Sequence, residues 1–226
     1  AGISGKETAE RLYQAGRDMA GIDALIISHD HADHVRCAGI YQRKFGIPIW
    51  ATEKTMRAAR SSHELGALRE VCHFKAGGTI RFANVTVESI PTPHDGADGS
   101  IFIVDDGRSR LGIFTDLGHV FDGLKDALAT VEAALVESNY DPDMLLGGPY
   151  PRYTKNRITG PQGHLSNMES AELIGRYGTR LRWACLGHLS GENNTPEIAL
   201  QTHRDVNGPM AYHLAGRHGA SDLLTV

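Results

Sequence analysis

His29-Asp30-His31-Ala32-Asp33-His34 sets three imidazoles and the Asp33 carboxylate within six residues, an HxHxDH run. Neutral imidazole nitrogens and carboxylate oxygens are the donors that suit zinc, manganese or iron, and crowding them together gains little unless a cation is shared. The run follows Ala24-Leu25-Ile26-Ile27-Ser28, an apolar stretch with the character of a buried strand, so the cluster falls where a strand gives way to a loop. A solvated, histidine-rich surface turn is the plain alternative.

Four donors do not fill two coordination shells, which directs attention to isolated His and Asp residues at later strand ends. His94 follows Val85-Thr86-Val87-Glu88-Ser89-Ile90, and Asp116 follows Leu111-Gly112-Ile113-Phe114-Thr115. His164 stands in Gly163-His164-Leu165-Ser166-Asn167, and His188 follows Trp183-Ala184-Cys185-Leu186-Gly187. Each alone reads most simply as a hydrogen-bonded structural residue; their order after HxHxDH makes them a set.

That order resembles the metallo-β-lactamase superfamily over most of the chain. The resemblance implies one divalent ion held by His29, His31 and His94, a second held by Asp33, His34 and His188, and Asp116 bridging both. A bridging carboxylate neutralises two cations at once and fixes their spacing at about 3.5–4 Å. The cofactors implied are two divalent metal ions, zinc or manganese. True β-lactamases use other ligand combinations, often with a cysteine; Cys37, Cys72 and Cys185 here have no CxxC spacing and read as reduced thiols.

Within the superfamily, Glu137-Ser138-Asn139, Met144-Leu145-Leu146-Gly147-Gly148-Pro149-Tyr150-Pro151, Gly163-His164-Leu165-Ser166-Asn167 and Gly187-His188-Leu189-Ser190-Gly191-Glu192-Asn193-Asn194 are similar to the YycJ (WalJ) group. These are bacterial metallo-hydrolases near RNase J, tRNase Z and the cyclic phosphodiesterases of phosphonate metabolism. Tyr140 stands where the group often has His, and the opening Ala1-Gly2-Ile3-Ser4-Gly5-Lys6 resembles the middle of a family segment. The expectation is therefore a fold lacking its first N-terminal strands in this sequence, with a sheet edge left open.

The 226 residues suffice to bury the core of one domain, expected to span 1–226, and 41% hydrophobic with 22% charged residues is ordinary for a soluble globule. No apolar run reaches the roughly 18–20 residues of a membrane span and no export signal is visible, so a cytoplasmic, non-membrane protein is expected. A net charge of −4 gives no global sign of nucleic acid. Two bound ions would dominate the local field in the cleft, offset there by Asp33 and Asp116.

Strands and helices alternate without repeats. Ser4 with Glu7 opens a helix that Gly16 can close; a strand at 24–28, a helix from Val35 to Phe45, a strand at Ile47–Trp50 and a helix capped by Thr52 follow. Thr79–Phe82, Val85–Ile90, Ile101–Val104 and Arg110–Thr115 read as strands, the last two joined across Asp106-Gly107. Asp122 to Ala134 reads as a helix, Leu135-Val136-Glu137 as a short strand, Ala171–Tyr177 as a helix behind a Ser166/Glu169 capping box, Thr195-Pro196 as the start of a helix ending at Asn207-Gly208, and Met210–Leu214 as a closing strand. The α/β fold class, an αββα sandwich, is what the resemblance implies; periodicity alone also permits a three-layer α/β fold.

The expected chemistry is metal-dependent hydrolysis of phosphodiester bonds. In tRNase Z and the cyclic phosphodiesterases, which the chain resembles, a non-ligand His near the metals works on the scissile phosphate, with a Glu relaying its proton; the corresponding residues are His164 and Glu137. His164, Glu137 and the ligand Asp33 are the candidate catalytic residues. Glu137 could instead pair with Arg152 or Arg157. The basic run Arg152-Tyr153-Thr154-Lys155-Asn156-Arg157 offers Arg152, Lys155 and Arg157 as candidate phosphate contacts, or else is a solvated loop. Ser190, Glu192, Asn193 and Asn194 read as supports for His188 and the following helix. His63, His73, His119, His203, His213 and His218 show no ligand spacing. The leading expectation is a 5′ exonuclease with a DNA partner; the alternatives are a hydrolase of cyclic nucleotides or thioesters, and a metal-stabilised binding module without turnover.

Overall fold

The computed structural model describes residues 1–226. The chain opens with α1 (Gly5–Gln14), whose cap Ser4 accepts from the Glu7 amide, and Gly16 beyond it takes φ +68°. A 3₁₀ turn at Met19–Gly21 leads into β1 (Leu25–Ile26). The expected helix from Val35 to Phe45 is two pieces, α2 (Ala32–Val35) and α3 (Ala38–Phe45), so Asp33 and His34 lie inside the first turn rather than in a loop. β2 (Ile49–Ala51), α4 (Glu53–Ser62) capped by Thr52, and β3 (Val71–His73) complete a first sheet, parallel, in the order β1-β2-β3.

The second sheet starts with the antiparallel strands β4 (Thr79–Phe82), β5 (Val85–Pro91), β6 (Ser100–Asp105) and β7 (Arg110–Phe114). The β6–β7 turn forms as its Asp-Gly signal predicts: Asp106 Oδ1 accepts from the amides of Arg108 and Ser109. After α5 (Asp122–Leu128) the pairing becomes parallel through β8 (Ala133–Glu137), β9 (Trp183–Gly187) and β10 (Tyr212–Leu214), giving the order β10-β9-β8-β7-β6-β5-β4. The expected helix to Ala134 stops at Leu128 because Ala133 and Ala134, good helix formers, are fully buried in a central strand paired on both sides. Between β8 and β10 lie α6 (Pro142–Gly147), α7 (Arg152–Ile158), α8 (Asn167–Tyr177) and α9 (Pro196–Asn207). Both hydrogen bonds of the Ser166/Glu169 capping box form at α8, and the basic run 152–157, for which a solvated loop was the alternative, is the helix α7.

Four layers result. Ile27, Val35, Ile49, Met56, Ala59 and Leu65 pack the first sheet against α2–α4. Ile80, Val87 and Phe102 meet Ile26, Trp50 and Phe74 between the two sheets. Ile103, Phe114, Leu124, Val136, Leu173 and Leu186 belong to the 16-residue core that joins the second sheet to α5, α8 and α9. This is an αββα sandwich. Burying such aliphatic side chains contributes about 25 cal/mol per Å² of apolar surface removed from water. No helix is long and apolar enough to cross a membrane.

Candidate metal centre

The donors gather at the C-terminal ends of β1, β5, β7 and β9, where the backbone leaves each strand. Two of them need an unusual backbone: Asp116 has φ +60° and His188 φ +56°, two of only four non-glycine residues in the left-handed region. Such conformations cost about 1–3 kcal/mol each and persist where surrounding structure enforces them. At Asp116 the enforcement is visible: its amide donates to Glu137 Oε2 (2.9 Å) and its carbonyl accepts from Thr92 Oγ1 (2.8 Å). Gly96 packs on the His29 ring, where a Cβ would come within 2.6 Å of it.

His29, His31 and His94 bring one donor atom each within 4.8 Å of one another, as do Asp33, His34 and His188, and His29, His34 and Asp116. Asp116 lies at the centre: Oδ2 is 3.2 Å from His34 Nε2, and Oδ1 is 3.5 Å from His94 Nε2 and 3.4 Å from His188 Nε2. Asp33 Oδ2 lies 3.4 Å from His34 Nε2 and 3.6 Å from His188 Nε2.

These residues fit divalent cations. His29 Nε2 and Asp116 Oδ2 are buried without any hydrogen-bond partner, which is costly for a lone pair unless a cation takes it. Burial, with the neighbouring His34, His31 and His94, pushes the His29 pKa down to about 2, so the ring is neutral. His94 is also lowered, chiefly by burial, and its Nδ1–H donates to the Gly163 carbonyl (2.9 Å), leaving the Nε2 lone pair free. The Ser28 hydroxyl lies 3.0 Å from His29 Nδ1 and 3.2 Å from His34 Nδ1. Hydrogen bonds from His188 and His34 hold the Asp33 carboxyl well below the usual range. His29 and His94 are thus neutral and Asp33 ionised, as ligands require; at His188 burial is outweighed by the hydrogen bonds to Asp33 and Glu137, which raise its pKa well above the ordinary value, so a cation there has to displace a proton.

Glu137, fully buried at the end of β8, meets the expected His164 and also His188. Its Oε2 accepts from the Asp116 amide and lies 3.0 Å from both His164 Nδ1 and His188 Nδ1; Oε1 accepts from the Leu165 amide (2.8 Å). Burial alone would raise its pKa, but hydrogen bonds from His164 and His188 outweigh it and keep the carboxyl well below the ordinary value. A carboxylate placed in this way anchors two imidazoles, one of them the His164 expected beside it. It meets neither Arg152 nor Arg157. His164 Nε2 makes no hydrogen bond inside the protein, and the ring lines a cavity of about 820 Å³ together with Asp33, His188, Tyr150, Arg157 and Arg217.

The basic segment is redistributed. Lys155 Nζ donates to the carbonyls of Leu146 (2.7 Å) and Gly148 (2.8 Å). Arg152 and Lys155 line a neighbouring cavity with Tyr140, Leu145 and Tyr150 rather than the main one. Arg157 faces the main cavity but forks onto Asp95, Nε to Oδ2 at 2.6 Å and NH2 to Oδ1 at 2.9 Å. Helix α7 turns these side chains apart, which a loop reading does not anticipate. Asp95 escaped the sequence reading, although it adjoins His94; its Oδ1 is 3.3 Å from His31 Nε2. Burial works against its ionisation, yet the Arg157 hydrogen bond holds its pKa below normal. Arg217, another lining residue of the main cavity, was missed for want of any motif.

The group-specific strings form one buried polar network. Ser138 Oγ donates to Asn167 Oδ1 (2.6 Å), Asn194 Nδ2 donates to the Ser138 carbonyl (2.9 Å), and Asn139 Nδ2 donates to the His188 carbonyl (2.7 Å). Asn194 Oδ1 also accepts from the Thr195 amide at the start of α9. The network ties the loops after β8 and β9 together and holds His188 in its left-handed conformation.

Fold and donor set together define a metal-dependent hydrolase of the metallo-β-lactamase kind. The family profile of the beta-lactamase superfamily domain matches residues 2–188, and the chain belongs to that superfamily. It is 35% identical to exodeoxyribonuclease WalJ of Streptococcus pneumoniae over 206 residues, covering 89% of this chain and 76% of the relative. It is 32% identical to exodeoxyribonuclease YycJ of Bacillus anthracis over 202 residues, 88% of this chain and 76% of the relative. Among solved structures, the metallo-beta-lactamase fold protein YhfI from Bacillus subtilis superposes with a TM-score of 0.66 at 16% identity, over 85% of this chain and 74% of that one. A diphosphatase from the PhnP family superposes at 0.62 and 17% identity, over 91% and 72%.

Proposed function

We propose that the protein is a DNA exonuclease acting from 5′ ends in the cytoplasm, with two divalent ions, zinc or manganese, as cofactors. The observation that carries the phosphodiester reading is His164: an imidazole fixed through Nδ1 on an anionic Glu137, with Nε2 unpaired at the wall of the cavity beside the donor cluster. The exodeoxyribonuclease relatives support DNA as the polymer.

His29, His31 and His94 would hold one ion, Asp33, His34 and His188 the other, with Asp116 shared. When bound, such ions supply a nucleophile at neutral pH and stabilise negative charge on the attacked phosphoryl group. The Glu137 carboxylate fixes His164 through Nδ1 and leaves Nε2 at the cavity, where the imidazole would hand a proton to the departing alkoxide. Glu137 gives up no proton in this scheme. Asp116 and Asp33 keep the donor atoms converged. Arg217 and Tyr150, which both line the cavity, are groups available to a phosphate and a base.

A cyclic phosphodiester is the second reading, since about 820 Å³ suits a small ligand as well as a strand end. Thioester cleavage has no use for His164. Metal-loaded protein assayed against 5′-labelled duplex, single-stranded DNA, RNA, bis(p-nitrophenyl) phosphate and a thioester decides between them. Mononucleotide release from the 5′ end of DNA is expected. Turnover of a cyclic nucleotide or thioester without any cleavage of nucleic acid would overturn the reading.

A further inference from the structure

Of the three imidazoles in the first donor set, two have their ligating atom settled by what the other ring nitrogen does. His94 spends Nδ1–H on the Gly163 carbonyl, and His29 turns Nδ1 toward Ser28, so both present Nε2. His31 is reversed. Its Nδ1 lies 3.2 Å from His94 Nε2, close to the spacing of adjacent donors on one ion with bonds of about 2.0–2.1 Å. Its Nε2 points away, 3.3 Å from Asp95 Oδ1. Asp95 in turn is gripped at both oxygens by the Arg157 fork and anchored through its amide on the Gln162 carbonyl (3.2 Å). Oδ1 also approaches His94 Nε2 at 3.5 Å, but that nitrogen carries no proton when Nδ1–H is bonded to Gly163. The donor set around His29 does not extend to Asp95.

We propose that Asp95 and Arg157 are positioning residues of the first metal site: Asp95 accepts from His31 Nε2–H and so presents Nδ1 to the ion, and Arg157 acts through Asp95 rather than by touching substrate phosphate. A carboxylate behind a ligating imidazole fixes its tautomer and ring plane and raises its basicity. Here the carboxylate is itself clamped by a guanidinium at the cavity wall, so the chain from cavity to metal is Arg157, Asp95, His31. Arg157 commits its Nε and NH2 to Asp95 as a charge-assisted bidentate pair, so that face of the guanidinium is occupied by the carboxylate.

The inference rests on the metal reading above, and the test separates the two. Apoprotein of the wild type, Asp95→Ala, Asp95→Asn, Arg157→Ala and the Asp95→Ala/Arg157→Ala double variant is titrated with zinc against a chelator and with cobalt(II) followed by visible absorption. Asp95→Ala is expected to weaken one of the two ions about 10–100-fold and leave the other, with a changed cobalt spectrum for the weakened site. Asp95→Asn keeps an acceptor oxygen and should lose less. Arg157→Ala should weaken the same ion, and the double variant should be no worse than Asp95→Ala. Wild type that takes up two ions, with both affinities and the cobalt spectrum unaltered in Asp95→Ala and Asp95→Asn, overturns this inference alone. Loss of DNA affinity in Arg157→Ala with both metals intact returns Arg157 to the substrate and also overturns it. Wild type that takes up no ion overturns the metal centre as well.

Discussion

His164 and His188 hang from a single oxygen atom: the Nδ1 of each lies 3.0 Å from Oε2 of Glu137, and their ring centroids are 5.2 Å apart. They sit in similar Gly-His-Leu-Ser settings and share an anchor, yet face different surroundings. His188 directs Nε2 at Asp33 and Asp116, whereas His164 Nε2 meets no protein partner.

This difference separates their variants. His188→Ala is expected to lower metal occupancy, and activity with it. His164→Ala should keep both ions and lose roughly 10²–10⁴-fold in turnover, the usual worth of general acid catalysis. The loss should shrink on a substrate leaving as p-nitrophenolate, which needs little protonation. Metal analysis beside kinetics on the two substrates checks this; a His164→Ala protein that drops an ion would reverse the assignment.

Glu137→Ala removes the acceptor of four donors in a fully buried position. A cost of about 3–5 kcal/mol in stability is expected, as when one partner of a buried charged pair is deleted. Glu137→Gln retains the shape but cannot accept from all four, and should fold with His164 poorly aimed. Urea unfolding and turnover of each variant test it; wild-type turnover in Glu137→Gln would show that the anchor is dispensable.

Asp116→Ala should reduce uptake of both ions, because the lost carboxylate stands between the two donor sets and faces three imidazoles within 3.5 Å. Elemental analysis after reconstitution with zinc or manganese reads the stoichiometry. Loss confined to one ion would deny the bridge.

Salt dependence distinguishes the cations of the cleft. Each phosphate contact contributes about 0.7–0.9 to the slope of log affinity against log salt, so Arg217→Ala should flatten DNA binding by about one contact. Lys155→Ala should leave the slope alone and lower thermal stability, since its ammonium ties down the Leu146 and Gly148 carbonyls. A flattened slope in Lys155→Ala would put that residue on the strand.

His203 supplies a pH prediction remote from the metal centre. Burial pushes its pKa from 6.5 down to about 4, against the opposing hydrogen bond to the Ala199 carbonyl. The unfolded chain therefore binds a proton that the folded chain refuses between these values. Stability is fully present above about pH 6.5 and falls by roughly 3 kcal/mol as pH drops to about 4. His203→Gln should flatten that slope; urea midpoints at pH 7.5 and 5 check it.

Most of the elements were legible because their signals are local. Ser4, Thr52, Ser166 and Thr195 cap helices by hydrogen bonds within three residues, and Asp106-Gly107 turns a hairpin by its own side chain and backbone. Where reading failed, distant residues won. Ala133 and Ala134 have helical propensity but lie in a central strand paired on both sides. The polar strings around Ser138, Asn167 and Asn194 carried group identity without announcing that they bond to one another.

What the sequence by itself determined is the donor inventory: imidazole and carboxylate spacing in His29–His34, with His94, Asp116 and His188 each following an apolar strand-like run and His164 in a Gly-His-Leu-Ser string, is chemistry written in residue type and order. The tertiary structure alone decided which nitrogen each ring presents, that one oxygen of Glu137 serves two histidines, and that Arg157 answers to Asp95 across 62 residues. Those outcomes depend on hydrogen-bond partners brought together by the packing of two sheets, and a hydrogen bond is decided by tenths of an ångström and the angle of approach, which no spacing along the chain encodes.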